Sequence, residues 1–177
     1  ISRRAKKAKS LKSYKIPKLT ELLLRNHLHH EAQRWYLPRF IVLDGSPLLN
    51  LVAWAVLYKG RQVNKEVCGK AVAVLAEKGP EVKKNDPIFS RFPELSVLRR
   101  LPIRRLILPD VVLFLDVSPA EACRRIEARG EQQQVHETEE KLTKLRDAYL
   151  MVCDVITKEF WVPARVLNGE APREQVT

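Results

Sequence analysis

Two kinds of apolar run alternate along the chain, and they predict different elements. Between Leu19 and Tyr36, the sets Leu19, Leu22, Leu23, His27 and His30, or Leu24, Leu28 and Ala32, fall at helical spacing. They predict one helix, with Thr20 near its start and an end before Pro38. Phe40–Leu43 is apolar without alternation and stops at Asp44-Gly45-Ser46-Pro47, which predicts a short buried strand. The run "LLNLVAWAVLY" then predicts a buried helix, and "VNKEVCGKAVAVLAEKG" another that ends at Gly79. "PEVKKNDPIFSRFPEL" reads as a polar connection broken by proline, and "LILPDVVLFLDV" as a second apolar strand with Pro109 confined to its beginning.

The next helix has the clearest signals. In "SPAEACRRIEARG", Ser118 is placed to cap, Pro119 takes the first helical position, Glu121 completes a capping box and Gly130 supplies a left-handed stop. After a Gln-rich stretch, Leu142, Leu145, Tyr149, Val152, Ile156 and Phe160 form a helical stripe. A last strand, "WVPARVLN", leads into a turn. Non-alternating strands separated by helices predict an α/β fold, a three-layer parallel sheet flanked by helices, with residues 40–44, 111–116 and 164–168 as neighbouring strands. Ligands of such sheets bind beyond the carboxyl ends of the strands. The clusters Asp44-Gly45-Ser46, Asp116-Val117-Ser118 and Asn168-Gly169-Glu170 would converge there.

Charge divides the chain. The formal net charge is +11, and residues 1–18 carry eight Lys and Arg with no acidic residue. That leaves about +3 for the rest, so 1–18 reads as a basic, disordered segment and 19–177 as one α/β domain. Cys68, Cys123 and Cys153 are far apart and odd in number, which fits a reducing, cytoplasmic setting better than a disulfide frame. The sequence has no run of 18 apolar residues, so a membrane span is not expected. A start at Ile1 rather than Met suggests a piece of a longer protein.

Four stretches bear on function: "FLDVSPAEACRRIEARG", "HETEEKLTKLRDAY", "IVLDGSP" and "VLNGEAPREQV". Together they resemble the thymidylate kinase branch of the P-loop nucleoside and nucleotide kinases, over roughly residues 19–177. The first is similar to that family's strand-to-helix turn and the arginine-bearing approach to its lid, the second to its post-lid helix. The third is similar to the strand end where an Asp-Arg or Glu-Arg pair lies beside the acceptor, and the last to the loop that cradles adenine. The resemblance implies a P-loop NTPase-like fold and transfer of the γ-phosphoryl of ATP, with Mg²⁺, to a nucleotide or nucleoside acceptor. A homodimer is compatible with it. Arg125 and Arg129 would be catalytic, sharing a face beside the Gly130 hinge of a mobile lid, and Arg129 would sit at an exposed helix end. Asp44 would orient the acceptor or hold Mg²⁺ through water. Ser46, Asn50 and Arg25 would face the acceptor, and Asn168, Gly169 and Glu170 would hold the adenine.

Two departures stand out. The phosphate loop Gly-x-x-x-x-Gly-Lys-Ser/Thr is absent, and "NKEVCGKA" does not replace it, since Asn64 and Ala71 occupy the positions of the first Gly and the hydroxyl. Gly45 stands where the pair's arginine is expected. A kinase domain truncated at its N-terminus and inactive as this chain is therefore the expectation.

The same residues support plainer readings. Arg125 lies four residues after Glu121, and cations suit a helix C-terminus. Asp116 reads as structural, fixing the turn. His27, His29 and His30 lack the spacing of a closed metal site, so no metal ligand is assigned to them. Two other function classes remain: a catalytically dead, kinase-like interaction domain, and a nucleic-acid binder using the basic segment. The second is disfavoured because the segment carries a single aromatic residue, Tyr14, and no recognisable binding motif.

Overall fold

The computed structural model describes residues 10–100, 105–130 and 134–171. Helix α1, Leu11–Tyr36, starts well before the expected Leu19. Ser10 and Ser13 cap it reciprocally, each side-chain oxygen accepting the other's backbone N–H at 3.2 Å. Pro17 lies inside the helix and removes one donor, but Tyr14, stacked on Trp54 at 5.2 Å and buried, anchors the early turns. Lys12, Lys15 and Lys18, expected in a disordered segment, are thus helical; residues 1–9 lie outside the described ones. The helix ends with Leu37 in the left-handed conformation, just ahead of Pro38.

The expected strand at residues 40–44 is not one. This stretch has no ladder partner among the described residues, and Phe40 and Val42 are 82% and 95% exposed. A strand is a property of a pair, and the apolar run finds no partner here to satisfy its backbone groups. Helices α2, Pro47–Lys59, and α3, Lys65–Ala76, follow as expected, joined by a 3₁₀ turn at Gly60–Gln62. The supposed polar connection holds two short helices, α4, Ile88–Arg91, and α5, Pro93–Arg100. The Asp86 carboxylate starts the first by accepting from the Ile88 N–H at 2.9 Å.

Strand β1, Val112–Asp116, helix α6, Pro119–Ala128, helix α7, Glu139–Phe160, and strand β2, Ala164–Asn168, complete the order. The two strands are parallel and in register from Val112 opposite Ala164 to Asp116 opposite Asn168. Parallel strands need a crossover, which α6 and α7 supply. Two of the three expected strands therefore form the sheet. Its helices lie against one face, where Phe114 stacks on Tyr149 at 5.8 Å. On the other face Leu113 and Leu115 are 64% and 57% exposed, so a three-layer arrangement is not seen among the described residues.

The core lies where α2, α3 and α7 meet. Leu48, Cys68, Val72, Val152 and Ile156 are fully buried there, and three residues of the α7 stripe, Leu145, Val152 and Ile156, face inward. Gly79, at φ +80°, lets the chain leave α3 tightly against Phe160, whose ring would lie 2.5 Å from an added Cβ. No helix among the described residues is long and apolar enough to cross a membrane.

Candidate functional site

The two strands end side by side, and the turns beyond them interlock. The Gly169 N–H donates to the Asp116 carbonyl at 2.8 Å. A Cβ at Gly169 would lie 2.7 Å from a Val117 methyl, so the close approach requires glycine. Ser118 caps α6, its hydroxyl accepting from the Glu121 N–H at 3.4 Å. The return half of the expected capping box comes from elsewhere: Ser118 N–H donates to Glu170 Oε1 at 2.8 Å. Glu121 instead accepts from Arg124 and Arg125 at 2.6 Å each, and these two guanidinium groups pull its carboxyl down to about 2. Arg125 also donates to the Gly169 carbonyl at 3.0 Å, and the Ser118 hydrogen bonds hold the Glu170 carboxyl below its ordinary value.

Helix α7 runs behind these strand ends and carries two residues to which the sequence reading gave no place in the site. Arg146 donates two bonds of 2.6 Å to the two oxygens of Asp116, a bidentate pair that depresses the Asp116 carboxyl. One turn later, Tyr149 donates to Asn50 Oδ1 at 2.5 Å, and burial pushes its phenol up to about 12. Arg146 and Tyr149 are three apart on one helix face, and that spacing was the available signal. Asp116 is thus held at the end of β1 by an ion pair from α7.

Asn50 links Tyr149 to the Asp44-Gly45-Ser46 turn. Gly45 has φ +78°, and a Cβ there would meet the Asn50 side-chain nitrogen at 3.1 Å. An arginine at this position would need a left-handed backbone that residues with a Cβ rarely adopt. A guanidinium arrives from another direction: Arg25 on α1 donates to the Asp44 carbonyl at 2.5 Å and more weakly to the Gly45 carbonyl at 3.3 Å. Ser46 caps α2 through the Leu49 N–H at 3.4 Å. The structure therefore brings Arg25, Asp44, Ser46 and Asn50 together, with Tyr149 added.

Arg125 on α6 and Arg129 at its C-cap are held apart by their partners. Arg125 is committed to Glu121 and Gly169, whereas Arg129 reaches Glu137 at 3.0 Å. Burial alone would raise the Glu137 carboxyl, but the Gln134 N–H and the Arg129 guanidinium outweigh it and keep it low. Next to it, His136 packs against Trp54 at 4.6 Å and Tyr14 at 5.2 Å, and burial drives its imidazole down to about 4.

The implied ATP and Mg²⁺ meet unequal support. Asp44 is exposed, so its carboxylate fits as one water-mediated ligand of a hydrated Mg²⁺. The loop expected to cradle adenine is closed on itself: Glu170 N–H donates to Asn168 Oδ1 at 3.0 Å, and Gly169 is bound at both backbone groups. The described residues include no Gly-x-x-x-x-Gly-Lys-Ser/Thr loop for a triphosphate. They also contain no group of three His, Cys, Asp or Glu placed to hold a metal. His30 meets the Arg105 carbonyl at 2.9 Å, beside the buried Asn26 that ties α1 to residues 105–107.

Residues 89–166 match the family model described as Thymidylate kinase. This stretch is thymidylate kinase-like. It runs from within α4 through β1, α6 and α7 into β2, and so holds Arg125, Arg129, Asp116, Arg146 and Tyr149. Less than half of the chain is matched, and Arg25, Asp44, Ser46 and Asn50 precede the match, while Asn168–Glu170 follow it. No curated protein and no solved structure matches the chain. At the level of the family, the match supports kinase-like phosphoryl transfer with a nucleotide substrate.

Proposed function

We propose that this chain carries the acceptor and lid portion of a nucleotide kinase that moves the γ-phosphoryl group of ATP to a nucleotide or nucleoside. The observation that supports it most is the placement of Arg25, drawn from 19 residues upstream to the Asp44-Gly45 turn. It sets a guanidinium beside the acceptor corner where Gly45 leaves none. Planar, permanently charged and able to bind two oxygens at once, it suits an acceptor phosphate. Asn50, oriented by Tyr149, offers an amide nitrogen to the acceptor's base or sugar. Asp44 orients the attacking oxygen. Arg125 and Arg129 turn from Glu121 and Glu137 to the transferring phosphoryl group. Phosphoryl transfer is largely positioning and charge stabilisation, which such groups provide.

The reading requires a glycine loop for the β- and γ-phosphates, and no Gly-x-x-x-x-Gly-Lys-Ser/Thr occurs in the 177 residues. The chain alone is expected to bind an acceptor without turning over ATP. Titration with thymidine monophosphate, followed calorimetrically, should show saturable binding. Arg25→Gln should weaken it about tenfold, the effect of one charge-assisted hydrogen bond. Binding that Arg25→Gln leaves unchanged in a folded variant, or ATP turnover by the chain alone, would overturn this reading.

A further inference from the structure

A second candidate site lies away from the acceptor corner, between α1, α2, α3 and α5, and none of Arg25, Asp44 or Asn50 lines it. It is a cavity of about 100 Å³ walled by Leu22, Val52, Val67, Ala71 and Leu75, with the buried thiol of Cys68 at its wall. A dry apolar cavity of about 150 Å³ holds a benzene ring, so this one is sized for about four carbons of an alkyl chain. Val52, Val67, Ala71 and Leu75 offer a water molecule no partner, which disfavours filling that end with solvent.

The mouth has a different chemistry. Lys15 and Lys59 line it together with Glu94, from which their ammonium nitrogens stand at 3.9 and 3.7 Å. Both separations exceed a hydrogen bond, and two cations share one carboxylate, so positive charge is left over. Aromatic rings hold both lysines in place, with Lys15 Nζ 5.5 Å from the Tyr58 ring centre and Lys59 Nζ 5.6 Å from that of Phe92. The Tyr58 ring also lines the cavity, and its hydroxyl is buried without a hydrogen-bond partner among the described residues. An apolar chamber closed by fixed, incompletely neutralised ammonium groups suits a ligand with a short hydrocarbon tail and an acidic head.

We propose that this cavity binds a short-chain monocarboxylate, its alkyl chain among Val52, Ala71 and Leu75 and its carboxylate between Lys15 and Lys59. The 177-residue chain would be titrated with sodium hexanoate and, at equal ionic strength, with 1-hexanol, and heat of binding recorded. Hexanoate should bind saturably at one site, about fivefold more tightly than the alcohol, as a partly exposed ion pair allows. The double variant Lys15→Gln/Lys59→Gln, altered only at the mouth, should bring hexanoate down to the level of hexanol. Ala71→Leu, which fills the chamber, should abolish both. The proposal is overturned if hexanoate shows no saturable binding, if hexanol binds the native chain equally well, or if the lysine variant keeps the preference. Retention of hexanoate by a folded Ala71→Leu variant would overturn it as well.

Discussion

Replacing Arg129 by alanine is expected to destabilise the fold by about 1–3 kcal/mol, the cost of stripping a buried carboxylate of a charged partner. Arg129 is 40% exposed, which taken alone suggests a solvated helix end with little at stake, but Glu137 is only 7% exposed. The exposure of the partner decides the cost. A solvated guanidinium loses little when deleted, whereas the carboxylate left behind cannot recover water without opening the segment that Gln134 N–H helps to close. Urea denaturation at neutral pH gives the measurement, and Arg129→Lys should recover part of the loss. The depressed Glu137 carboxyl adds a second signature. Its contribution is present at neutral pH and fades as pH falls through its lowered folded value, and without Arg129 that fading should begin at a higher pH. A variant as stable as the parent would mean that Arg129 is held in place at no energetic gain, ready for another use.

Acidification should expose a second liability, at His136. Its imidazole sits at about 4 in the folded chain against an ordinary 6.5, chiefly because burial opposes the charged form. Above pH 6.5 both folded and unfolded states are neutral here, and stability does not depend on this group. Between 6.5 and 4 only the unfolded chain takes up the proton, so stability falls as pH falls. Below 4 both states are protonated and the loss stops growing. The total is at most about 3 kcal/mol. Neighbouring charges act in both directions: Glu137 favours the imidazolium, while Lys18, Lys141 and Arg129 oppose it. His136→Phe would keep a ring against Trp54 and Tyr14 and should flatten the slope across this window. Since other carboxylates titrate near its lower end, the informative quantity is the difference between the two proteins. Equal slopes would show that His136 is solvated in the folded chain.

What could be read from the sequence was local. The cap at Ser118, Pro119 at the first turn, the stop at Gly130 and the α7 stripe each need only a few consecutive residues, and each was found where expected. Features that depend on distant partners were not legible in the same way. The Phe40–Leu43 run has every property of a buried strand except a neighbour. Ser118 and Glu170 close a cap across 52 positions, and Arg146 finds Asp116 across 30, distances over which no spacing rule operates. The early start of α1 was hidden because its basic residues outweigh the single buried ring, Tyr14, that holds the turns in place. At the candidate site, residue types were read better than their relations. Arg25, Asp44, Ser46 and Asn50 do meet, but Tyr149, which orients Asn50, was taken for part of the core stripe. Arg125 and Arg129, placed on one face by their spacing, are drawn to different carboxylates.

The uncovered face of the two-stranded sheet sets the colloidal behaviour of this chain. Leu113 and Leu115 stand in water on β1, and the described sheet has only two strands, so each strand keeps an open edge. Flat apolar faces with open edges recruit further strands. What keeps copies apart is their net charge of +11, a repulsion that reaches about 10 Å at 0.1 M salt and about 3 Å at 1 M. Added salt shortens that reach while leaving the leucines and the unpaired edge untouched. Light scattering from the purified chain should therefore grow with ionic strength, and a buffer chosen to mimic the cell should hold it in solution less well than a dilute one.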